Sequence, residues 1–220
     1  MDKSTHKQNI IDQIGFDMLT LCMSQLQKAK EALINHDSDL AEEVIHTENR
    51  VNALDIRIER DCEKFLALYN PVAIDLRFIM VIRKINSDLE RIADHSYNIA
   101  KYVVNKEQKI PQHLFDALDF DTMYVTVDKM LKNITVAYKE KDVKAARKVF
   151  KKDKILDKIK LNSFTIIEKE IKNNSAIIAD ALLLFSVINK IERVGDLIKN
   201  IAEELIFYID AEVLRHRKEK

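Results

Sequence analysis

The stretch Glu90-Arg91-Ile92-Ala93-Asp94-His95-Ser96-Tyr97-Asn98-Ile99-Ala100 returns 102 positions later as Glu192-Arg193-Val194-Gly195-Asp196-Leu197-Ile198-Lys199-Asn200-Ile201-Ala202. Six of the eleven positions are identical, and Ile92/Val194 and Ala93/Gly195 exchange like for like in polarity. Helical spacing explains what is kept: residues at i, i+4 and i+8 lie along one helix face. Glu90, Asp94 and Asn98 form one polar strip; Glu192, Asp196 and Asn200 form its twin. Beside each strip runs an apolar seam. In the first copy it is Ile82, Ile85, Leu89, Ile92, Ile99 and Val103, interrupted by Ser96; in the second it is Leu184, Val187, Ile191, Val194, Ile198, Ile201 and Leu205. Steps of three and four are the pattern of a helix packed in a bundle. Two carboxylates one turn apart at the edge of a buried seam repel each other and lose hydration. A basic side chain or a metal ion must compensate.

Outward from the repeat, the remaining sequence favours long helices. Among 220 residues there are 2 glycines and 2 prolines, too few for a fold with many tight turns. A hydrophobic content of 47 % supports a core, and 33 % charge suits solvated helix faces. With 36 basic and 36 acidic residues the formal net charge is zero, which gives no electrostatic reason to expect nucleic acid or an anionic membrane as partner. Cys22 and Cys62 have no metal-ligand spacing, and a reduced cytosolic protein is the simpler reading. The N-terminal residues precede no apolar signal-like run, and no stretch of 18 apolar residues marks a membrane span.

Helix one is expected from about Gln8 to Ile34. After the turn His36-Asp37-Ser38-Asp39, helix two runs to about Tyr69, with Leu40, Val44, Val51, Leu54, Ile58 and Phe65 inward. Asn70-Pro71 ends it, because the residue before proline avoids helical geometry. Pro71 suits the opening turn of helix three, which continues to about Asn105. The polar segment from Lys106 to Pro111 is the domain boundary, dividing 1–108 from 109–220. Helix four is expected from about His113 to Lys139. Asp142 then opens helix five as Asp37 opened helix two, and helix six spans about Ser175 to Val213. At an offset of 105, Asp37, Ala41 and Val44 recur as Asp142, Ala146 and Val149. The tail from Arg215 is expected to fray. The fold class is all-α: two tandem antiparallel three-helix bundles related by internal duplication, joined by short connections.

Each repeat carries two polar pairs on adjacent helices. Glu48 and Asn52 can face Glu90 and Asp94; Asp153 and Asp157 can face Glu192 and Asp196. Asp55 adds a further acid in the first repeat, where the second has Lys160. Oxygen-only donor sets favour hard cations such as Mg²⁺, Mn²⁺ or Fe, and bridging carboxylates admit more than one ion. Taken singly, acids four apart are usually a solvated face or a salt bridge, and Arg91 and Arg193 are ready partners. Recurrence on corresponding helices is what raises metal beside that alternative. His95, with Leu197 as its counterpart, reads as a packed or surface histidine. Glu43 and His46 make a lone Glu-x-x-His, whereas a di-iron oxidase needs two, so the pair is assigned to the surface. Met18, Met23, Met80, Met123 and Met130 read as core filler. No Gly-rich phosphate loop, nucleophile motif or His-Glu-x-x-His occurs, so an enzyme is not expected.

The chain resembles the PhoU family of phosphate-uptake regulators. The resemblance rests on Asn70-Pro71-Val72-Ala73-Ile74-Asp75-Leu76-Arg77, on Asp88 to His95, on Ile191 to Asp196 and on Asp37 through Asn52, and it covers nearly the whole chain. It departs from the family pattern at Asn70, where glutamine is usual, at Ala93, where glycine is usual, and at Asn52 in an acidic slot. The resemblance implies two three-helix bundles, multinuclear metal clusters (Fe, Mn, Mg or Zn) and a homodimer. It implies a cytoplasmic regulator beside the ATPase of the phosphate-specific ABC transporter and its sensor histidine kinase, holding starvation signalling off when phosphate is plentiful. An accessory of a sodium-coupled phosphate transporter and a carboxylate-bridged metalloenzyme are the alternative expectations.

Overall fold

The computed structural model describes residues 3–214, and those residues are almost entirely helical. The helices are α1 (Lys3–Asn35), α2 (Ser38–Tyr69), α3 (Ala73–Val104), α4 (Gln112–Ala117), α5 (Phe120–Glu140), α6 (Val143–Asn173) and α7 (Ile178–Asp210). Helices α1, α2 and α3 pack on one another as the first bundle, and α5, α6 and α7 as the second. The bundles meet mainly along α3 and α7, the two helices that carry the duplicated stretch, with a smaller contact between α1 and α5. Both apolar seams are buried over their whole length, and Ser96, fully buried in the first, donates its hydroxyl to the Ile92 carbonyl at 3.0 Å. Ile82, Ile85, Ile191 and Ile198 thereby belong to one apolar cluster that runs through both repeats.

The helix starts follow from local chemistry. Asp37 precedes α2 in extended geometry and accepts from the Leu40 amide at 2.9 Å. Asp142 repeats this before α6, accepting from Lys144 at 2.8 Å and Ala145 at 3.2 Å. Each aspartate satisfies amides that the first helical turn leaves without carbonyl partners.

Three boundaries differ from the periodicity. The helix expected over His113 to Lys139 is two helices, because Asp119 turns to left-handed geometry at φ 52°. Aspartate tolerates that conformation better than most residues. The turn lets Phe115 and Phe120 both reach the core, with ring centroids 4.9 Å apart. Pro71 stands before α3 rather than in its first turn: Asn70 is left-handed at φ 45°, and an extended Val72 caps the helix. The last helix begins with a 3₁₀ turn at Ser175–Ile177 and ends at Asp210. Met80 is exposed and not core filler, whereas Met18, Met123 and Met130 are fully buried. The tail from Arg215 lies outside the described residues.

Candidate metal centre

In the first repeat the acids lie where α2 and α3 run in opposite directions. Asp94 and Glu90 both act on Glu48, and Asp55 acts on Glu90. Asn86, one turn before Glu90, donates its amide to Asp55 Oδ1 at 2.7 Å. Glu48, Asp55 and Glu90 are half-buried; Asn52 and Asp94 are exposed. Burial first, then the neighbouring Asp94 and Glu90, pushes the Glu48 carboxyl above its ordinary range, while Asn52 hydrogen-bonds to it and opposes the shift. Burial and Asp55 raise Glu90, with Asp94 adding and Arg91 opposing. Burial and Glu59 raise Asp55 against the Asn86 hydrogen bond. Among the described residues no lysine, arginine or histidine forms an ion pair with Glu48, Asp55, Glu90 or Asp94. Asn98 donates to Asp94 Oδ1 at 3.1 Å. The four carboxylates share one groove but do not close on a point: among the described residues no three His, Cys, Asp or Glu side chains are gathered as an ion's ligands.

The second repeat repeats the backbone arrangement and solves the charge problem differently. Asp153 and Glu192 are buried; Asp196 is half-buried and Asp157 exposed. Lys199 Nζ donates to Asp153 Oδ2 at 2.6 Å and to Asp196 Oδ1 at 3.0 Å. Lys160 Nζ donates to Glu192 Oε1 at 2.6 Å, leaving Glu192 Oε2 buried without a partner. Burial raises the Asp153 carboxyl and the Lys199 hydrogen bond opposes it. On Lys199, burial works against the charge, but Asp153 and Asp196 outweigh it and hold the ammonium above its usual range. The two lysines thus supply positive charge to Asp153, Asp196 and Glu192. Their counterparts in the first repeat are Asp55 for Lys160 and Tyr97 for Lys199. Gly195 allows this close approach of α6 and α7, since a Cβ there would fall 2.3 Å from Leu156 Cδ1.

Sequence periodicity therefore placed Glu48, Asp55, Glu90 and Asp94 in one groove, and Asp153, Glu192 and Asp196 in another. It missed Asn86, whose four-residue spacing before Glu90 extends the polar strip, and it did not assign Lys199 a role. Arg91 and Arg193, the expected basic partners, are exposed and form no ion pair among the described residues. His95 is half-buried; burial lowers its pKa, and its Nδ1 has no hydrogen-bond partner. Glu43 and His46 are exposed, and Glu43 pairs with Lys28.

Comparison with known proteins agrees with the duplication. The PhoU domain model matches twice, over residues 16–103 and 120–205. The phosphate-specific transport system accessory protein PhoU of Escherichia coli is 30 % identical over 87 % of this chain and 79 % of its own length. The PhoU homolog of Aquifex aeolicus is 33 % identical over 92 % of each chain. Among solved structures, PhoU from Pseudomonas aeruginosa superposes with a TM-score of 0.86 at 25 % identity, covering 94 % of this chain and 99 % of that one. The regulatory protein PhoU from Streptococcus pneumoniae gives 0.81 at 26 % identity, covering 96 % and 99 %. These names are those of accessory and regulatory proteins, not of enzymes. With both halves matched and the fold shared from end to end, the chain belongs to the PhoU family.

Proposed function

We propose that this protein is a cytoplasmic regulator of phosphate uptake and of phosphate-starvation signalling. It acts as a non-enzymatic adaptor that restrains the ATPase of a phosphate ABC transporter and its sensor histidine kinase when phosphate is plentiful, working as a homodimer. Family membership supports the regulatory role, since the relatives are named accessory proteins of phosphate transport. Among the described residues no helix is long and apolar enough to cross a membrane. Deletion of the gene tests the reading: phosphate-responsive genes should be expressed in high phosphate, and full repression in the deletion strain would refute it.

The adaptor is metal-dependent in its first repeat. The observation that carries this is the groove of Glu48, Asp55, Glu90 and Asp94, where burial and neighbouring acids raise Glu48, Asp55 and Glu90 and no basic side chain forms an ion pair among the described residues. With the Asn52 amide oxygen they offer oxygen donors only, the chemistry that suits Mg²⁺, Mn²⁺ or Fe, and carboxylates also serve Zn²⁺. A bound cation supplies the charge that lets α2 and α3 hold these acids together; the chain's own residues position the oxygens and exclude water from the seam beneath them. Elemental analysis of protein purified without chelator should find metal that is lost in a Glu48→Gln/Glu90→Gln variant. Unchanged stoichiometry in that variant would remove the site.

A further inference from the structure

We propose that the cleft between the two repeats binds inorganic phosphate, gripped by one arginine from each copy of the duplicated stretch. Arg91 on α3 and Arg193 on α7 occupy the same position of the two copies, and both line one cleft of about 240 Å³ with His95, Asp196, Leu197 and Asn200. The duplication thus delivers two guanidinium groups to one place from opposite sides of the bundle contact. Neither forms a hydrogen bond or ion pair among the described residues, so their donors are available. Lys190 joins them in acting on His95, against the carboxylate of Asp94, which acts on the same ring. His95 Nδ1 is buried with no hydrogen-bond partner, and a partner is what a buried polar atom ordinarily has. The volume falls below the roughly 300–1,000 Å³ of pockets for drug-sized ligands, which fits a small ion better than a nucleotide.

The donor set identifies the class of anion. Guanidinium forks match the oxygens of phosphate and carboxylate. A tetrahedral anion can accept from two forks in different planes at once, which a single carboxylate does poorly. Asp196 supplies the discriminating contact. Its Oδ1 takes the Lys199 ammonium at 3.0 Å, and its Oδ2 accepts no hydrogen bond among the described residues. Phosphate near neutral pH still carries a proton and can donate it to that oxygen. Sulfate is fully ionised and can only repel it, so the carboxylate selects against sulfate by leaving it an unpaired acceptor. Asn200 offers an amide to either. This extends the reading of a phosphate regulator by naming a direct ligand, and it stands on the cleft whether or not the regulatory partners are as proposed.

Titration calorimetry of the full chain with inorganic phosphate tests it, with sulfate at matched ionic strength as the comparison. One phosphate per chain is expected, at least tenfold tighter than sulfate. Arg91→Gln and Arg193→Gln should each weaken binding by about 10- to 100-fold, the loss of a charged hydrogen bond. Both arginines are exposed, so melting curves should show these variants folded. Phosphate should also shift the imidazole nitrogen resonances of His95. Asp196→Asn should abolish the preference over sulfate. Absence of heat and of any His95 shift at millimolar phosphate would overturn the proposal. So would equal affinity for sulfate, or phosphate binding that survives both arginine changes but is lost when Lys148, Lys151 and Lys152 are replaced on the lysine-rich face of α5 and α6. Binding of an acidic peptide without phosphate would assign the cleft to a protein partner instead.

Discussion

Replacing Lys199 with methionine measures how far a lysine does the work of an ion in the second repeat. The ammonium bridges Asp153 and Asp196 at 2.6 and 3.0 Å. The Asp153 side chain is 9 % exposed, that of Lys199 30 % and that of Asp196 42 %. Stripping one partner from a fully buried ion pair costs about 3–5 kcal/mol, because the remaining charge is left without compensation. Exposed pairs are worth about 0–1 kcal/mol. With one carboxylate buried and the cation partly solvated, the expected loss lies between, at about 2–3 kcal/mol. For a chain of this size that lowers the melting temperature by about 5–10 °C. Thermal and urea melts at pH 7 in chelator, by circular dichroism, read it directly. Methionine keeps most of the aliphatic stem, so lost packing contributes little. Adding Asp153→Asn to the variant should restore most of the loss, since it removes the stranded charge. Mn²⁺ should stabilise Lys199→Met more than it stabilises the same protein with Lys199 intact, because the vacated groove then presents bare carboxylates. A loss under about 0.5 kcal/mol, the range of an ordinary surface change, would show that Lys199 is a solvated neighbour and not the counter-ion.

The stability of the first repeat should depend on pH. Burial and neighbouring acids, Glu59 in the case of Asp55, raise the carboxyls of Glu48, Asp55 and Glu90 in the folded state, so the folded protein holds protons that the unfolded chain has released. Their contribution to stability is then lost as pH rises from the ordinary carboxylate range, about 4, through the raised values. In chelator, Glu48→Gln/Glu90→Gln should therefore melt a few degrees above wild type at pH 7.5, with the gap closing near pH 4; a gap that is constant with pH would refute the cause. Gly195→Ala should destabilise by about 1–3 kcal/mol through overpacking, despite alanine's better helix propensity, because its Cβ meets Leu156 at 2.3 Å; unchanged urea melts would count against it. The Cys22 thiol is buried and pushed far above its ordinary range by burial, with Glu48 and Glu90 adding to it. A thiol reagent should modify it only at the rate of unfolding, and rapid modification of native protein would contradict its placement.

The elements that were legible in the sequence are those set by period. The seams of α3 and α7 alternate three and four, and every apolar member named there is buried. The aspartate caps were legible because Asp37 and Asp142 stand at equivalent places before an apolar run. The break at Asp119 was not, since its cause is the joint burial of Phe115 and Phe120, which periodicity does not encode. The acidic grooves were legible as positions and not as charge states. Lys160 was visible only as the residue standing where Asp55 stands, and Lys199 only as a member of the repeated stretch. Both reach the carboxylates through flexible stems whose end points depend on the neighbouring helix.

That difference between grooves has a physical consequence for a duplicated fold. Buried apolar seams pack α2 on α3 and α6 on α7 in both repeats, so each groove can neutralise its acids in its own way while the bundle is kept. A lysine does this permanently, and its ammonium is present at any ion concentration. An ion does it conditionally, because its occupancy follows supply. Under the proposed metal loading, the first repeat, with Asp55 and Tyr97 where the second has lysines, is the half whose stability follows ion supply. The contact of α3 with α7 gives that response a route to the second half. Arg91 and Arg193 sit on those same two helices, so an anion gripped by both would meet each repeat through one residue and resist any relative movement of the pair. Binding at the cleft and ion loading of the first groove should then favour each other, by an equal factor measured in either order.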